Sequence, residues 1–207
     1  MPLWTPPEDS WAGSTVFVIG GGLSLKSFDW LRLRGQRVIG CNSAYIHGPL
    51  VCSICFFSDR AWFEKFQTAL EGYVRRGGFV VTHSPDFRDT EPSWVRTMPR
   101  QDEGLSRDAL GYGASSGCSA LSLALRLGAA RVILLGMDLR LISALQPNWH
   151  TLSIEKANPE VYQRHIEGFE AAAHALPSVY PGVEVFNATE GSALTCFPFI
   201  NLAEVLP

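Results

Sequence analysis

Short apolar segments alternate with helical patterns along most of this chain. Most of the apolar segments are uninterrupted rather than alternating, which is typical of parallel strands covered on both faces. They predict six strands, at residues 16–19, 37–41, 52–57, 79–82, 131–135 and 183–186.

Helical patterns occupy the stretches between these strands. They predict helices at residues 59–73, 118–127, 159–176 and 202–206. Either Ser58 or Asp59 can cap the first helix, and Asn201 can cap the last. The second is apolar almost all round and stops at Gly128, so it should be central and buried. Strands that alternate with helices predict a three-layer, Rossmann-like α/β fold with a mostly parallel sheet of about six strands.

The chain contains no internal repeat and no second core. We therefore expect an irregular N-terminal arm over residues 1–14, followed by a single domain over residues 15–207. Two polar stretches, 83–111 and 137–158, fit no regular element. Segments of that length in a compact domain are usually binding loops, lids or disordered.

Composition narrows the class of protein. The 207 residues are 46% hydrophobic, and a chain of this length buries roughly 70% of its unfolded surface without disulfides or metals. A formal net charge of -3 and the lack of any Lys/Arg run exclude a nucleic-acid partner. No apolar run approaches the ~18 residues of a spanning helix, and the first residues lack the pattern of a secretory signal. We expect a cytoplasmic protein.

The cysteine pattern agrees with a reducing compartment. The five cysteines, an odd number, are Cys41, Cys52, Cys55, Cys118 and Cys196. Cys52 and Cys55 form a lone C-x-x-C, but side chains three apart on a strand point to opposite faces, so they should not share a metal. Buried thiols are the prediction.

A glycine-rich turn, Gly20-Gly21-Gly22, follows the first predicted strand. Glycines at such a turn let the backbone approach a phosphate closely, and a following helix start adds free N–H donors. Leu25 replaces the third glycine of a dinucleotide fingerprint, and Asn42 stands where a nicotinamide enzyme has an acid, so nicotinamide binding is not expected. The turn favours a nucleotide whose ribose or base is read by an amide. The alternative is a turn that serves tight packing only.

A second anion-binding arrangement precedes the buried helix. Ser115, Ser116 and Gly117 combine two hydroxyls with a glycine at a helix N-terminus. The alternative is an ordinary serine cap. If the strand at 131–135 lies beside the first strand, this loop and the glycine turn meet at the switch point of the sheet, where open α/β folds bind ligands.

A third candidate begins where the strand at 131–135 ends. Asp138 is well placed for a ligand or a metal, although it can equally cap the turn. His150, in an irregular loop beside an aromatic, is the best candidate for a general base because an ordinary histidine pKa near 6.5 suits proton transfer. His165 flanks an apolar helix face and is expected to be structural. The histidines without supporting context are His47, His83 and His174.

Common catalytic motifs are missing from the sequence. It contains no G-x-x-x-x-G-K-[ST], no H-E-x-x-H and no Asp-x-Asp pair. The strand-end carboxylates that could hold Mg²⁺ are Asp59, Asp138 and Glu190, which lie far apart in sequence.

Two long segments carry a family resemblance. One is TVFVIGGGLSLKSFDWLRLRGQRVIGCN, and the other is SSGCSALSLALRLGAARVILLGMDL. Their order, the later histidine and the apolar tail INLAEVLP resemble the bacterial lipooligosaccharide sialyltransferases. The same pattern is shared by a broader group that includes archaeal 6-hydroxymethylpterin diphosphokinase-like proteins and short phage-encoded proteins of unknown function.

The resemblance implies roles for particular residues. Contacts with the nucleotide would fall to Gly20, Gly22, Ser24 and Asn42. Ser116 and Gly117 would contact the phosphate or the sugar donor, and His150 would deprotonate an acceptor hydroxyl.

The chain also departs from the family's pattern. Gly21 replaces an asparagine and Leu23 replaces a proline. The loop before His150 is shorter than the family's lid and lacks the tyrosines expected to bind the leaving phosphate, a role that Tyr112 or Tyr162 could fill.

Three hypotheses follow. The first is a nucleotide-sugar-binding protein that transfers glycosyl groups from a donor such as a CMP-sugar without a metal cofactor. The second is Mg²⁺-dependent diphosphate transfer, with Asp59 or Asp138 holding the metal. The third is a catalytically inactive nucleotide-binding accessory protein. In each case the partner is a small nucleotide, and the oligomeric state, a homo-oligomer included, is left open.

Overall fold

A parallel sheet covered on both faces forms the centre of the protein. The computed structural model describes residues 4, 10–88, 92–143, 146, 148–152 and 159–206. The strands are β1 (Thr15–Ile19), β2 (Arg37–Cys41), β3 (Ile54–Phe57), β4 (Phe79–Thr82), β5 (Val95–Thr97), β6 (Arg100–Gln101), β7 (Leu110–Gly111), β8 (Arg131–Leu135) and β9 (Glu184–Asn187). The α-helices are α1 (Arg60–Arg75), α2 (Ser116–Arg126), α3 (Pro159–Val179) and α4 (Leu202–Val205).

The strand order places a switch point beside the first strand. Seven strands pair in the order β5-β4-β3-β2-β1-β8-β9, all in parallel. The chain runs outward from β1 to β5 on one side and returns to β8 and β9 on the other. The carboxyl ends of β1 and β8 therefore diverge into loops that leave in opposite directions, which opens a crevice between them.

Alternate residues of each strand enter different cores, which explains the uninterrupted apolar segments. In β1, Val16 and Val18 join a core with α2 and α3, whereas Phe17 and Ile19 join a core on the opposite face. A third cluster packs α1 against β3 and β4, with Tyr73 fully buried. Both faces of the sheet are thus buried, and the predicted three-layer α/β fold is confirmed.

The polar stretch at 83–111 differs from the prediction. It contains β5, which adds a seventh strand to the sheet, and the two-residue strands β6 and β7, which pair with each other. These strands are too short to show a pattern of their own. Each depends on a partner elsewhere in the chain. Met98 N–H, just after β5, donates to the Thr82 carbonyl at 2.9 Å, and Leu110 N–H of β7 donates to the Pro99 carbonyl at 2.8 Å.

The helix caps follow the sequence closely. Asp59 caps α1 by accepting from the Trp62 N–H at 2.7 Å, and Asn201 caps α4 by accepting from the Ala203 N–H at 3.0 Å. The helix predicted at 159–176 continues to Val179, and Pro177 lies within it. Among the described residues, no helix is long and apolar enough to cross a membrane.

Most of the predicted N-terminal arm, residues 1–3 and 5–9, lies outside the described residues. All five cysteines are free thiols, and every one except Cys196 is buried. Burial raises the pKa of Cys52 to about 12, so this thiol stays protonated at neutral pH.

Candidate functional site

A cavity of about 370 Å³ opens at the carboxyl edge of the sheet, around the ends of β1, β2 and β8. Its volume is in the range of small-ligand sites. The predicted site residues that line it are Gly20, Gly21, Gly22, Asn42, Ser115, Ser116, Gly117, Asp138 and His150. The sheet topology therefore brings together residues that are more than a hundred positions apart in the sequence.

The glycine turn packs directly against the loop that follows β8. Gly20 N–H and Gly22 N–H bond to the carbonyls of Leu135 and Gly136, each at 2.8 Å. A Cβ on Gly20 would lie 2.5 Å from the Gly136 carbonyl oxygen, and a Cβ on Gly22 would lie 2.6 Å from the same atom. Close packing of the two loops thus requires both glycines, as expected if the turn serves tight packing. The helix after the turn is a single 3-10 turn, Leu23–Leu25, too short for a helix dipole.

Ser24 and Asp138 form a clamp across this packed interface. Asp138 is buried, and its Oδ2 accepts from the Ser24 N–H at 2.9 Å while its Oδ1 accepts from the Ser24 hydroxyl. Asp138 lines the cavity, but Ser24 does not, and both of its donors are committed to Asp138. The nucleotide contact predicted for Ser24 is therefore not supported by its position.

Ser115 and Ser116, at the start of α2, have different roles. Ser115 Oγ accepts from the Gly117 N–H at 3.1 Å and so caps the helix. Ser116 Oγ bonds instead to Ser58 Oγ at 3.1 Å, and both hydroxyls line the cavity. Ser58, which follows β3, was considered in the sequence only as a cap.

A buried histidine lies behind these hydroxyls. His83 Nε2 is 2.9 Å from Ser119 Oγ and 3.5 Å from Ser58 Oγ, and among the described residues its Nδ1 has no hydrogen-bond partner. Burial, together with the nearby charge of Arg100, lowers the pKa of His83 to about 4. The ring is therefore neutral at physiological pH, and it lies next to Ser58 of the Ser58–Ser116 pair without adding a charge.

This depressed pKa predicts a loss of stability in acid. Unfolded His83, with a pKa near 6.5, takes up a proton as the pH falls, whereas folded His83 does not until about pH 4. Between about pH 7.5 and about pH 5, His83 should lower the free energy of unfolding by about 2 kcal/mol. Urea titrations at about pH 7.5 and about pH 5 measure this change in the free energy of unfolding, with His83→Gln as the comparison. An equally steep loss in that variant would show that His83 is not the cause.

The segment 148–152 is held onto the glycine turn through Trp149. Its N–H and its indole Nε1–H donate to the carbonyls of Gly21 and Gly20, each at 3.1 Å, and Asn148 forms an antiparallel bridge with Gly22. The Trp149 ring also packs on Trp30, with centroids 4.6 Å apart. His150 is thereby fixed at the cavity next to the glycine turn.

Residues on α3 complete the cavity, among them His165, for which the sequence pattern predicts a structural role. Val161, Tyr162 and His165 all line it, which follows from their spacing on one helix face. His165 is half-buried. Tyr112, which precedes α2, also lines the cavity, so both tyrosines named as replacements for the family's phosphate-binding pair are present.

Three cavity residues have an unusual backbone conformation. Among the described residues, the non-glycine residues with positive φ are Asn42 (50°), Ala114 (51°) and Leu139 (47°). All three line the cavity. Asparagine tolerates this conformation, but alanine and leucine pay roughly 1–2 kcal/mol each. Strained residues cluster at functional sites, so their coincidence marks this cavity independently of the motifs.

Few charges line the cavity. Arg140 is the only Lys or Arg among its described lining residues. Asn42 lines the cavity with an amide side chain, and the neighbouring Ser43 Oγ is buried without a hydrogen-bond partner in the described part of the chain. Within that same part, no three His, Cys, Asp or Glu side chains come together to form a metal site.

Fold and cavity together define a Rossmann-like α/β protein with a ligand-sized crevice at its switch point. No family model matches the chain, and no curated protein matches its sequence. Solved structures do match. The sialyltransferase CstII from Campylobacter jejuni, in complex with cytidine-5'-monophosphate, is 14% identical, with a TM-score of 0.55 over 91% of this chain and 85% of that chain.

Two further structures match over a similar length. The sialyltransferase CST-II with a trisaccharide acceptor and CMP is 16% identical, with a TM-score of 0.51 over 90% of this chain and 85% of that one. CstII from Campylobacter jejuni with CMP-3FNeuAc is 15% identical, with a TM-score of 0.51 over 90% and 84%. At these identities the likeness establishes the fold. Neither the diphosphokinase nor the phage part of the resemblance gains support from these structures.

Proposed function

We propose that this protein binds CMP or a CMP-sugar in the cavity at the switch point and transfers the sugar to a hydroxyl acceptor without a metal cofactor. The observation that carries the proposal is the convergence of the glycine turn, Asn42, the start of α2 and the segment 148–152 on one cavity. The fold shared with sialyltransferases whose structures contain CMP supports the choice of nucleotide.

Neutral donors would hold the nucleotide. Asn42 would read the ribose or base with its side-chain amide, and the Ser58–Ser116 pair offers hydroxyls to phosphate or sugar oxygens. Tyr112 and Tyr162, which line the cavity, would bond the leaving phosphate, and Arg140 would supply a positive charge. Because such donors are fixed before the ligand arrives, they can stabilise the charge that develops on the phosphate during transfer.

The transfer itself needs one proton removed and one leaving group stabilised. The acceptor oxygen forms a bond to the anomeric carbon, the bond from that carbon to the phosphate oxygen breaks, and its electron pair leaves with CMP. The proton of the acceptor hydroxyl passes to a general base, for which a neutral histidine in the cavity is suited.

Nucleotide binding tests the proposal. CMP at a hundredfold excess over its dissociation constant should stabilise the protein by about 2.7 kcal/mol, and chelating agents should leave the shift unchanged. Thermal shift with CMP, CDP, UMP and ATP, each with and without Mg²⁺, measures it. A shift with ATP only in the presence of Mg²⁺ would favour diphosphate transfer, and no shift with any nucleotide would contradict both activities.

Replacing Asn42 by glycine should weaken CMP binding about tenfold, the cost of one or two hydrogen bonds. Glycine adopts the positive φ of Asn42 without strain, so the variant removes the amide alone. Isothermal titration calorimetry measures the loss, and Asn201→Gly, which removes an amide from the start of α4, is the matched control. Equal affinity of Asn42→Gly and wild type would exclude this residue from nucleotide recognition.

A further inference from the structure

Two histidines line the cavity from different elements. His150 lies in the segment tied to the glycine turn by Trp149, and His165 lies on α3 beside the loop that precedes α2. The sequence resemblance gives the role of base to His150. The hydrogen bond of the His150 ring indicates a different division of roles.

His150 presents a donor to the cavity. Its Nδ1 accepts the backbone N–H of Leu152 at 3.2 Å. A neutral imidazole has one donor and one acceptor nitrogen, so Nδ1 as acceptor leaves the proton on Nε2. Burial lowers the pKa of His150 to about 4, which keeps this neutral tautomer in place at physiological pH. The ring can donate from Nε2, but it has no lone pair there to take a proton.

His165 is the second imidazole that lines the cavity. A neutral imidazole keeps a lone pair on one ring nitrogen, and the lone pair of His150 is taken by the Leu152 N–H. Burial and the neighbouring Arg164 lower its pKa, so the ring is neutral and able to accept. The backbone of Gly168, one turn further along α3, touches the backbone of Gly113, which fixes the helix against this loop.

We propose that His165, rather than His150, is the general base, and that His150 donates a hydrogen bond from Nε2 to the leaving phosphate. This inference rests on the proposed function. In the transfer step, the hydroxyl proton of the acceptor moves to the free nitrogen of His165. The phosphate oxygen that receives the electron pair of the broken bond accepts from His150. The His165 imidazolium then returns its proton to water.

Glutamine variants separate the two roles, because a glutamine amide can donate a hydrogen bond but cannot accept a proton. With CMP-sialic acid and an oligosaccharide acceptor, His165→Gln should lower kcat at least about 100-fold, whereas His150→Gln should stay within about tenfold of wild type. His174→Gln, at an exposed histidine of the same helix, is the matched control. Loss confined to His150→Gln, or equal loss in both variants, would overturn the proposal.

A measurement without turnover keeps this proposal separate from the proposed function. Long-range proton–nitrogen NMR reports which ring nitrogen carries the proton in the free protein, and we expect the Nε2–H tautomer for His150. An Nδ1–H tautomer there would overturn the proposal even if CMP binds. Failure of the wild-type protein to bind CMP would instead contradict the proposed function and leave the tautomer result standing by itself.

Discussion

Replacing Gly168 by alanine should destabilise the protein by about 3 kcal/mol, although alanine is the better helix former. Gly168 lies inside α3, and a Cβ there would be 2.5 Å from the Gly113 Cα and 2.6 Å from the Gly113 carbonyl carbon. Both atoms belong to backbone, so no side-chain rotation can relieve the collision. The helix, the loop before α2, or both would have to shift.

The same substitution at Gly72 provides the matched control. Gly72 lies inside α1, and the nearest atom to a Cβ there is the mobile end of Arg76, at 3.6 Å. Gly72→Ala should therefore stabilise the protein by up to about 1 kcal/mol. Urea denaturation of both variants measures the difference. A stabilising effect at Gly168 would show that the helix and the loop are not in the close contact described.

The displacement should also reach the cavity. His165 lies one turn before Gly168 and lines the cavity, so moving α3 displaces the His165 ring relative to the loop before α2. We expect Gly168→Ala to impair transfer more than CMP binding. Asn42 follows β2, which lies on one side of β1 in the sheet, whereas α3 connects β8 and β9 on the other side. Comparing kcat with CMP affinity in this variant measures that split.

The sequence predicts the sheet well because its signals are local. Four-residue apolar runs such as 79–82 mark strands by themselves, and the caps at Asp59 and Asn201 depend on a bond to a residue two or three positions away. The adjacency of β1 and β8 is different in kind. The sequence predicts that the two loops meet only if these strands are neighbours. The parallel pairing of Val18 with Leu134 shows that they are.

The features that sequence reasoning missed depend on distant partners. β5 is only three residues long and is a strand because β4 lies beside it. His165 looked structural because half of its helix face is apolar, and only the fold shows that this part of α3 closes a cavity. The glycines at 20 and 22 stand out in the sequence, but the atom that requires them, the Gly136 carbonyl oxygen, lies more than a hundred residues away.

Replacing Asp138 by alanine should cost about 3 kcal/mol of stability and weaken CMP binding at least about tenfold. The substitution removes both acceptors of the clamp and leaves the Ser24 N–H without its partner. It also leaves the backbone bonds of Gly20 and Gly22 to hold the glycine turn on the loop after β8, and the cavity lies between these two loops. Chemical denaturation and calorimetric titration with CMP measure the two effects.

Asp138→Asn separates the clamp from a role as a metal ligand. The asparagine oxygen can accept from the Ser24 N–H while its amide donates to the Ser24 hydroxyl, so stability should stay within about 1 kcal/mol of wild type. The substitution also removes a negative charge beside the expected phosphate, so CMP should bind at least as tightly as it does to wild type. An Mg²⁺ ligand would behave in the opposite way, because the neutral amide binds the cation more weakly than the carboxylate. Loss of CMP binding in Asp138→Asn with stability retained would therefore leave the clamp in place but contradict metal-free binding, and would favour a metal ligand at this position.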